Sequence, residues 1–592
     1  MKRICGVLFA VFVATAGLRA APLPSTRVQL LCHRTANKDT PENTLASLEQ
    51  AALLGCDVVE IDLRRTLDGK IVLNHDGLLE RLTNGAGEVE KSYYDDLQML
   101  DAGSWMGERF EGIHMALFED ALRLARERNI KLVLDIKDKG MESDVARLVQ
   151  REGMLKQVQF PGEWGDVYKK LYPDMNAGPA VIWVQPGVTV QQIKAHHDAG
   201  KMVVVNFSAN DYEMDLTAMK AAVAAGADGI NVDFPRLGAD AVGRPVERKL
   251  EALEAKADAG ESSSRSEAIL ELSRYRGFPL QEEFVHWMLD SDGPVSYAAA
   301  LALTTARPRT PVSAFAEALR SDHADTRANA AWALGAMKAP AATLLPLLQD
   351  HDPQVLQTTL MALTHMPGEV STVALLPLLT NDNLMVKGAA AMALAQHQPS
   401  VASTAVPEQL QQMRTRLTTM WQDYERRGKP TLTDADVQPI KAAYRCEMEL
   451  VQATSMVKGP AATQALEQHA FRPGKDFSVD STNMSAFELW DRIGADPLPA
   501  LQALGSSDIQ VADRAEWMLV KDGAAVLPAV RKALNDPNRQ VSKRAIQIVA
   551  WQGDIESLEI LQSMQTRDVA DADLLKWAID KINSLHPRLS IR

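Results

Sequence analysis

The sequence has few cysteines and no surplus of positive charge. Its 592 residues include four cysteines, and Lys and Arg number 63 against 77 Asp and Glu, for a formal net charge of −14. A chain so acidic lacks the clustered basic surface of a general nucleic-acid binder, so we expect no nucleic-acid partner. The cysteines form neither a CxxC pair nor a Cys/His zinc pattern. We therefore expect Cys32, Cys56 and Cys446 to be buried free thiols rather than a disulfide framework.

Long apolar runs are also missing, except at the N terminus. Lys2 and Arg3 precede an apolar run over residues 4–17, and small residues follow up to Ala21. This pattern predicts a cleaved secretory signal peptide over residues 1–21 and an exported, periplasmic or secreted protein. The run is shorter than the roughly 20 residues of a membrane helix, so an uncleaved anchor is the alternative. We expect no stable membrane span after cleavage.

Short β-rich runs alternate with helical stretches through the first 240 residues. Apolar strands that alternate with helices predict a parallel sheet, and about eight such units fit an α/β fold of the closed (β/α)₈ TIM-barrel type. Chemistry in such barrels lies at the carboxyl ends of the strands. The predicted strands cover residues 28–32, 58–63, 71–74, 131–136, 157–160, 180–184, 202–206 and 229–232, and the predicted helices cover 44–54, 117–128, 144–152, 190–199 and 216–225.

The second half shows a helical repeat. Leu319, Leu348 and Leu379 lie 29 and 31 residues apart, and Leu504 and Leu534 lie 30 apart. Helix pairs that repeat at this period resemble short HEAT-like units, which stack into a solenoid and bury their apolar faces against each other. A generic helical bundle is the alternative. Further positions in register are Ala333-Leu334, Ala362-Leu363 and Ala393-Leu394 in the first array, and Val511/Val541 and Ala515/Ala545 in the second.

These observations predict a TIM barrel followed by an all-α, HEAT-like domain. Its concave surface is a possible site for a protein partner. We expect a loop at residues 474–483. The predicted domains are a signal peptide (1–21), the barrel (22–240), a helical linker (241–310), HEAT-like repeats (311–400), an irregular helical region (401–495) and further HEAT-like repeats (496–592).

Candidate catalytic residues stand where predicted strands end. Glu60 and Asp62 are two apart, so a strand would project both carboxylates to one face, where they need a cation such as Mg²⁺ or Ca²⁺. His33 follows the first strand and His75 the third, and two imidazoles near a carboxylate pair could move protons at neutral pH. Arg34 could hold two oxygens of a phosphate at once.

The ordered motifs here resemble the glycerophosphodiester phosphodiesterase family over roughly residues 27–240. Each motif alone is weak, but the order of the whole set is highly specific. The matching stretches are His33-Arg34, Pro41-Glu42-Asn43-Thr44, the run from Gly55 to Asp62, Thr66-Leu67-Asp68-Gly69, His75-Asp76, the run from Arg81 to Gly85, the run from Leu100 to Trp105, the run from Phe118 to Leu122, and the run from Asp228 to Pro235.

The resemblance implies a metal-dependent phosphoric diester hydrolase that converts small glycerophosphodiesters to glycerol phosphate and an alcohol. It implies that Glu60, Asp62 and Glu119 hold a divalent metal, Mg²⁺ or Ca²⁺. His33 and His75 would act as acid and base, and Arg34 and Lys137 would bind the phosphate. In the family a glycerol hydroxyl is thought to attack phosphorus, and water then opens the cyclic product.

Several positions depart from the family pattern. Thr35 stands where glycine is usual after His-Arg, Ala116-Leu117 replaces Pro-Thr, and Asp135 replaces a Glu two residues before Lys137. Val205-Asn206-Phe207 stands where a Trp-Thr pair is common, which leaves the preferred head group of the substrate open. The alternatives are a phospholipase acting on lysolipids or phosphoinositides, or a HEAT-repeat binding protein with a degenerate barrel.

Overall fold

The computed structural model describes residues 27–159, 180–275, 278–306, 309–473, 484–485, 488–489, 496–566 and 572–586. The predicted signal peptide and the predicted loop at 474–483 lie outside the described residues. The chain divides into two compact units. The first comprises the described residues up to Trp287 together with Ala298–Thr310, and the second comprises Met288–Tyr297 and the described residues from Pro311 onward.

The first unit is built on one sheet whose strands follow the predicted order. The ends of each strand agree with the predicted ends to within two residues. The strands are β1 (Gln29–Cys32), β2 (Val58–Arg65), β3 (Ile71–Leu73), β4 (Lys131–Ile136), β5 (Val158–Gln159), β6 (Ala180–Val184), β7 (Lys201–Asn206) and β8 (Gly229–Val232).

Seven of these strands run parallel, in the order β5-β4-β2-β1-β8-β7-β6. Strand β1 lies between β2 and β8, with Gln29 opposite Gly229. First and last strands pair in this way when a parallel sheet curls round on itself, which is the arrangement of a TIM barrel. The predicted barrel fold is confirmed.

Strand β3 differs from the prediction. It was expected to be a further parallel barrel strand, but it pairs antiparallel with β2, with Leu63 opposite Leu73. Only the turn at residues 66–70 separates the two strands, and a parallel crossover needs about a dozen residues. Gly69 takes a φ of +79° within this turn, a conformation that favours glycine.

Helices follow the strands of the first unit, and the five that were predicted are all present. Thr44 caps the first of them, because its side chain accepts a hydrogen bond from the Ser47 amide. The helices are α1 (Leu45–Leu53), α2 (Tyr94–Leu97), α3 (Phe118–Glu127), α4 (Glu142–Arg151), α5 (Val190–Asp198), α6 (Leu216–Ala224), α7 (Pro235–Ala241), α8 (Val246–Asp258), α9 (Ser262–Leu272), α10 (Gln281–Met288) and α11 (Gly293–Thr305).

Part of the region predicted as a linker packs on the barrel. The side chain of Gln50 on α1 donates a hydrogen bond of 2.6 Å to the carbonyl oxygen of Arg274, and Arg274 forms an ion pair with Glu49. Arg244 reaches Asp57, just before β2, at 2.7 Å. The chain after β8 is therefore held to the barrel surface by polar contacts.

A disulfide joins Cys32 at the end of β1 to Cys56 before β2, with Cα atoms 6.1 Å apart. The expectation of free thiols is wrong for these two residues and is confirmed for Cys446, which is free and buried. The two partners are 24 residues apart in the sequence. Their spacing in the sequence does not indicate a disulfide. The two cysteines come together because β1 pairs with β2.

Reduction of this disulfide is expected to lower the free energy of unfolding of the first unit by about 3 kcal/mol, since it opens a loop of about 24 residues in the unfolded chain. Urea titrations with and without dithiothreitol would measure the change. The double variant Cys32→Ser/Cys56→Ser is the control and should not respond to the reductant. Equal stability of the oxidised and reduced wild type would contradict the prediction.

The regular secondary structure of the second unit is all helical among its described residues, as predicted. Short 3₁₀ segments at Val312–Phe315, Ala318–Arg320, Ala341–Thr343, Leu345–Gln349 and Leu376–Thr380 precede its first helices. The α-helices are α12 (Ala324–Ala336), α13 (Pro353–Leu363), α14 (Thr372–Leu375), α15 (Leu384–His397), α16 (Pro399–Arg426), α17 (Asp434–Met456), α18 (Pro460–Ala470), α19 (Leu498–Ala503), α20 (Ile509–Asp522), α21 (Leu527–Ala533), α22 (Arg539–Gln552), α23 (Leu558–Thr566) and α24 (Ala572–Leu585).

Equivalent helices of neighbouring repeats pack on one another, α12 on α13 and α13 on α15, then α20 on α22 and α22 on α24. The turns before them are built alike. The side chains of Asp352, Asn383, Asp508 and Asn538 cap the helices that follow. This repeat of cap and packing is what a solenoid requires.

Helices α16 and α17 explain why the repeat period is lost after residue 400. They are 28 and 23 residues long, much longer than the repeat helices, and they pack on each other. Buried Arg414 and Glu447 form an ion pair of 2.9 Å between them. Among the described residues, no helix combines the length and apolar character needed to cross a membrane.

Candidate active site

Three carboxylates from two neighbouring strands of the sheet lie close together. Glu60 and Asp62 project from the same face of β2, and Asp135 on β4 lies opposite Asp62 in the strand register. Carboxylate oxygens of the three residues lie within 4.8 Å of one another. Burial, and after it the negative charge of Asp62, raise the pKa of Glu60. Like charges this close favour a bound cation.

Glu119 does not belong to this carboxylate cluster. It lies in the first turn of α3, and its Oε1 accepts a hydrogen bond of 2.8 Å from Arg151 at the end of α4. Helix α3 packs against β3, β4 and α4. The third carboxylate beside Glu60 and Asp62 in this structure is therefore that of Asp135, whereas the Glu119 carboxylate faces Arg151. The role of Glu119 as a metal ligand stays a prediction.

Both predicted phosphate-binding cations lie beside the carboxylate cluster. The Nζ of Lys137 is 2.8 Å from Asp62 Oδ1 and 2.6 Å from Asp135 Oδ2. The backbone amide of Arg34 donates to Glu60 Oε2 at 2.8 Å, and Arg34 Nε is 3.8 Å from Asp62 Oδ2. The cluster can thus hold a divalent cation through its carboxylates and an anion through its cations. Three hard oxygen donors, of which that of Asp62 is buried, fit a divalent cation such as Mg²⁺ or Ca²⁺.

His33 is supported by a buried carboxylate. Its Nδ1 lies 2.7 Å from Oδ1 of Asp233, which follows β8, and this leaves Nε2 for proton transfer. Burial raises the pKa of Asp233, but hydrogen bonds from His33 and Asn37 outweigh it and bring the value to about 2. Burial lowers the pKa of His33, but the hydrogen bond to Asp233 and the negative charges of Glu60 and Asp233 together outweigh it, so the net shift of the pKa is upward.

His75 has a carboxylate partner too. Its Nδ1 lies 2.7 Å from Oδ1 of Asp76, and Arg81 holds that carboxylate from the other side at 2.5 Å. Arg81 also binds Glu42 at 2.8 Å, and Glu42 accepts a hydrogen bond of 3.4 Å from Arg34. A continuous polar network therefore connects His75 with the residue after His33.

Strand direction explains how His75 reaches this network. We had expected it at the carboxyl end of a parallel strand, but β3 runs back along β2. The amide of Asn74 donates to the carbonyl oxygen of Asp62 at 3.1 Å, so the hairpin itself brings residue 75 beside the carboxylates.

Comparison with known proteins shows what parts of the chain resemble. Residues 33–170 match the sequence model of the glycerophosphoryl diester phosphodiesterase family, and residues 312–395 match that of HEAT repeats. Over these residues the first unit is similar to glycerophosphoryl diester phosphodiesterases. The resemblance predicted from the motifs is thereby confirmed, as are the expected phosphodiesterase character and the HEAT-like repeats.

Relatives of the phosphodiesterase unit cover only part of this chain. A glycerophosphodiester phosphodiesterase of Bacillus subtilis (strain 168) is 31% identical over 166 residues, which are 26% of this chain and 57% of that protein. One from Bacillus altitudinis is 26% identical over 237 residues, 35% of this chain and 95% of that protein. The solved enzyme of Agrobacterium tumefaciens str. C58 has a TM-score of 0.32 at 26% identity, covering 36% of this chain and 99% of that one.

Three residues that support the phosphodiesterase site were not among the predicted site residues: Asp135, Asp233 and Asn43. Asn43 donates from Nδ2 to Asp62 Oδ2 at 2.7 Å and accepts at Oδ1 from the Asp62 amide at 3.0 Å. The sequence held a signal for each of them, since Asn43 and Asp233 lie in stretches that resemble the family and Asp135 replaces a Glu two residues before Lys137. Which ones touch the site depends on contacts between distant strands.

Replacing Asp233 with asparagine is expected to move the His33 limb of the pH profile to lower pH in the phosphodiesterase. Asp233 raises the pKa of His33 through its hydrogen bond and its charge, so removing that charge lowers the pKa. The dependence of kcat/KM on pH would report the shift. Asp228→Asn is a matched control, because Asp228 binds His197 at 2.8 Å at the opposite end of β8. An unshifted profile for Asp233→Asn would contradict the pairing.

Proposed function

We propose that this phosphodiesterase hydrolyses glycerophosphodiesters to glycerol phosphate and an alcohol, in a reaction that depends on a divalent metal. The observation that carries the proposal is the carboxylate cluster of Glu60, Asp62 and Asp135 with Lys137 and Arg34 beside it. Two histidines, each with its own carboxylate partner, accompany that cluster. This set matches the needs of phosphodiester cleavage, which are charge compensation and two proton transfers.

Glu60, Asp62 and Asp135 would hold the metal, which we propose to be Mg²⁺ or Ca²⁺. When bound, the ion would offset negative charge on the phosphoryl oxygens. Arg34 and Lys137 carry the same kind of charge and would orient the phosphate between them.

His33 and His75 divide the proton transfers. One imidazole takes the proton from the glycerol hydroxyl next to the ester, and the oxygen of that hydroxyl forms a bond to phosphorus. The bond from phosphorus to the head-group oxygen breaks, and the other imidazole protonates the departing alcohol. Water then opens the cyclic phosphate with the two roles exchanged, so both histidines return to their starting protonation states.

Kinetics with purified protein would test this proposal. Soluble glycerophosphodiesters with several head groups would be assayed after EDTA treatment and again after addition of Mg²⁺ or Ca²⁺. We expect turnover that EDTA abolishes and the metal restores. Turnover of micellar lysolipids alone would replace this proposal with a phospholipase activity, and activity indifferent to EDTA would remove the metal from it.

We further propose that the protein works outside the cytoplasm. The Cys32–Cys56 disulfide supports this, because such bonds persist in oxidising compartments. Localisation of the full chain in cell fractions would test it.

For the HEAT-like repeats we propose a protein partner, since stacked repeats offer an extended surface for binding. Purification of the full chain, and of a chain without residues 311–592, would show which proteins co-purify only when these residues are present.

A further inference from the structure

Three buried hydroxyl groups lie beneath the segment that carries His33 and Arg34. The hydroxyl oxygens of Thr35 and Ser47 are 2.6 Å apart, and those of Thr40 and Ser47 are 2.9 Å apart. All three side chains are fully buried. We call Thr35, Thr40 and Ser47 the hydroxyl cluster.

The hydroxyl cluster holds a turn that glycine would adopt more easily. Arg34 and Thr35 have φ values of +47° and +70°, and a β-branched residue such as threonine is rarely found there. Hydrogen bonds compensate for this unfavourable conformation. The amide of Thr35 donates to the carbonyl oxygen of Glu60 at 2.9 Å, and the amide of Ala36 donates to Ser47 Oγ at 2.9 Å.

The same turn reaches two members of the carboxylate cluster. Thr35 Oγ1 accepts a hydrogen bond of 3.1 Å from the amide of Asn43, whose side chain is bound to Asp62 on both of its polar atoms. The amide of Arg34, next to Thr35, donates to the carboxylate of Glu60. The hydroxyl of Thr35 is therefore linked to Asp62 through Asn43. Thr35 is linked to Glu60 through the backbone amide of its neighbour, Arg34.

We propose that the hydroxyl cluster positions Glu60 and Asp62 for cation binding, with Thr35 as a positioning residue at a backbone conformation that favours glycine. Glycine would leave this turn to choose among several conformations. Threonine confines the turn to one conformation, because its hydroxyl bonds both the turn and the Asn43 loop. The catalytic meaning of this inference rests on the proposed function, whereas its prediction for cation binding does not.

Substitutions at Thr35 separate the hydroxyl from the shape of the side chain. Thr35→Val keeps the shape and loses the hydroxyl, and Thr35→Ser keeps the hydroxyl and loses a methyl group. Ser47→Ala removes the centre of the cluster without touching the positive-φ position. Thr326→Val is the control, because Thr326 is also fully buried but lies in the second unit.

Each variant would be made in the full chain, stripped with EDTA, and titrated with Mg²⁺ alone and Ca²⁺ alone by calorimetry. We expect Thr35→Val and Ser47→Ala to weaken cation binding and to lower kcat/KM by about 10–100-fold, the usual effect of losing a group that orients a ligand. Thr35→Ser should stay within about threefold of wild type, as should Thr326→Val. Melting temperatures would show that the variants compared are folded, and Ser47→Ala carries the test if Thr35→Val does not fold.

Three results would overturn the inference. They are wild-type cation affinity in the folded variants that lack a cluster hydroxyl, a loss in Thr35→Ser as large as in Thr35→Val, and no cation binding by the wild type. A wild type that binds the cation but hydrolyses no diester would instead remove the proposed function, while the pattern among the variants would still decide the role of Thr35.

Discussion

Replacing either His33 or His75 with alanine is expected to lower kcat by about 10²–10⁴-fold, the usual contribution of a general acid or base. Each imidazole has a carboxylate at Nδ1, 2.7 Å away in both cases, and therefore has one nitrogen free to exchange a proton with the substrate. Steady-state kinetics at saturating glycerophosphodiester and metal would measure the loss.

The control for these variants is His114→Ala. His114 belongs to the same unit, but its side chain is exposed and its Nδ1 contacts only the carbonyl oxygen of Leu100 among the contacts described. Its replacement should leave kcat unchanged. A lower melting temperature in His33→Ala with an unchanged kcat would mean that the His33–Asp233 pair has a structural role. Unchanged turnover in both histidine variants would remove both residues from the mechanism.

Asp135→Asn is expected to lower kcat/KM by about 10²–10³-fold, whereas Glu119→Gln should leave it close to wild type. Asp135 contributes charge to the carboxylate cluster, and removal of a group that stabilises charge at the reacting centre has effects of this size. Glu119 loses only its ion pair with Arg151, whose side chain is 55% exposed, and such surface pairs contribute about 0–1 kcal/mol to stability.

Kinetics after EDTA treatment and titration with Mg²⁺ or Ca²⁺ would measure both variants. Asp135→Asn should need more metal for half-maximal activity, and Glu119→Gln should need the same amount as wild type. The reverse pattern would restore Glu119 as the third ligand and would contradict the geometry of the cluster.

Local pattern was enough to predict most of the fold. The strands β1, β2, β4 and β8 are short segments rich in apolar residues, and they lie where pattern and length indicated. The predicted direction of β3 was wrong. A short turn such as the one at residues 66–70 indicates a hairpin, but the prediction gave more weight to the match between about eight strand–helix units and a parallel barrel. The HEAT-like repeats were found from leucine and alanine spacing alone, since every repeat solves the same packing problem.

The site was predicted less completely. Glu60 and Asp62 could be paired from their spacing, because neighbours two apart on a strand share a face. Asp135 could not be chosen over Glu119 in this way, because the choice depends on the register between β2 and β4, which lie about 70 residues apart in the sequence. The Cys32–Cys56 disulfide was missed for a similar reason.

The sequence by itself therefore determined the two-part architecture, the resemblance to a phosphodiesterase family, and the chemical groups available to the site: two histidines, an arginine, a lysine and several carboxylates. Tertiary structure decided which carboxylate completes the cluster and which ones support the histidines. It also showed how a threonine is held in a turn suited to glycine. The physical reason is that composition and period act along the chain, whereas a hydrogen bond such as that between His33 and Asp233, 200 residues apart, forms only after the sheet has brought its first and last strands together.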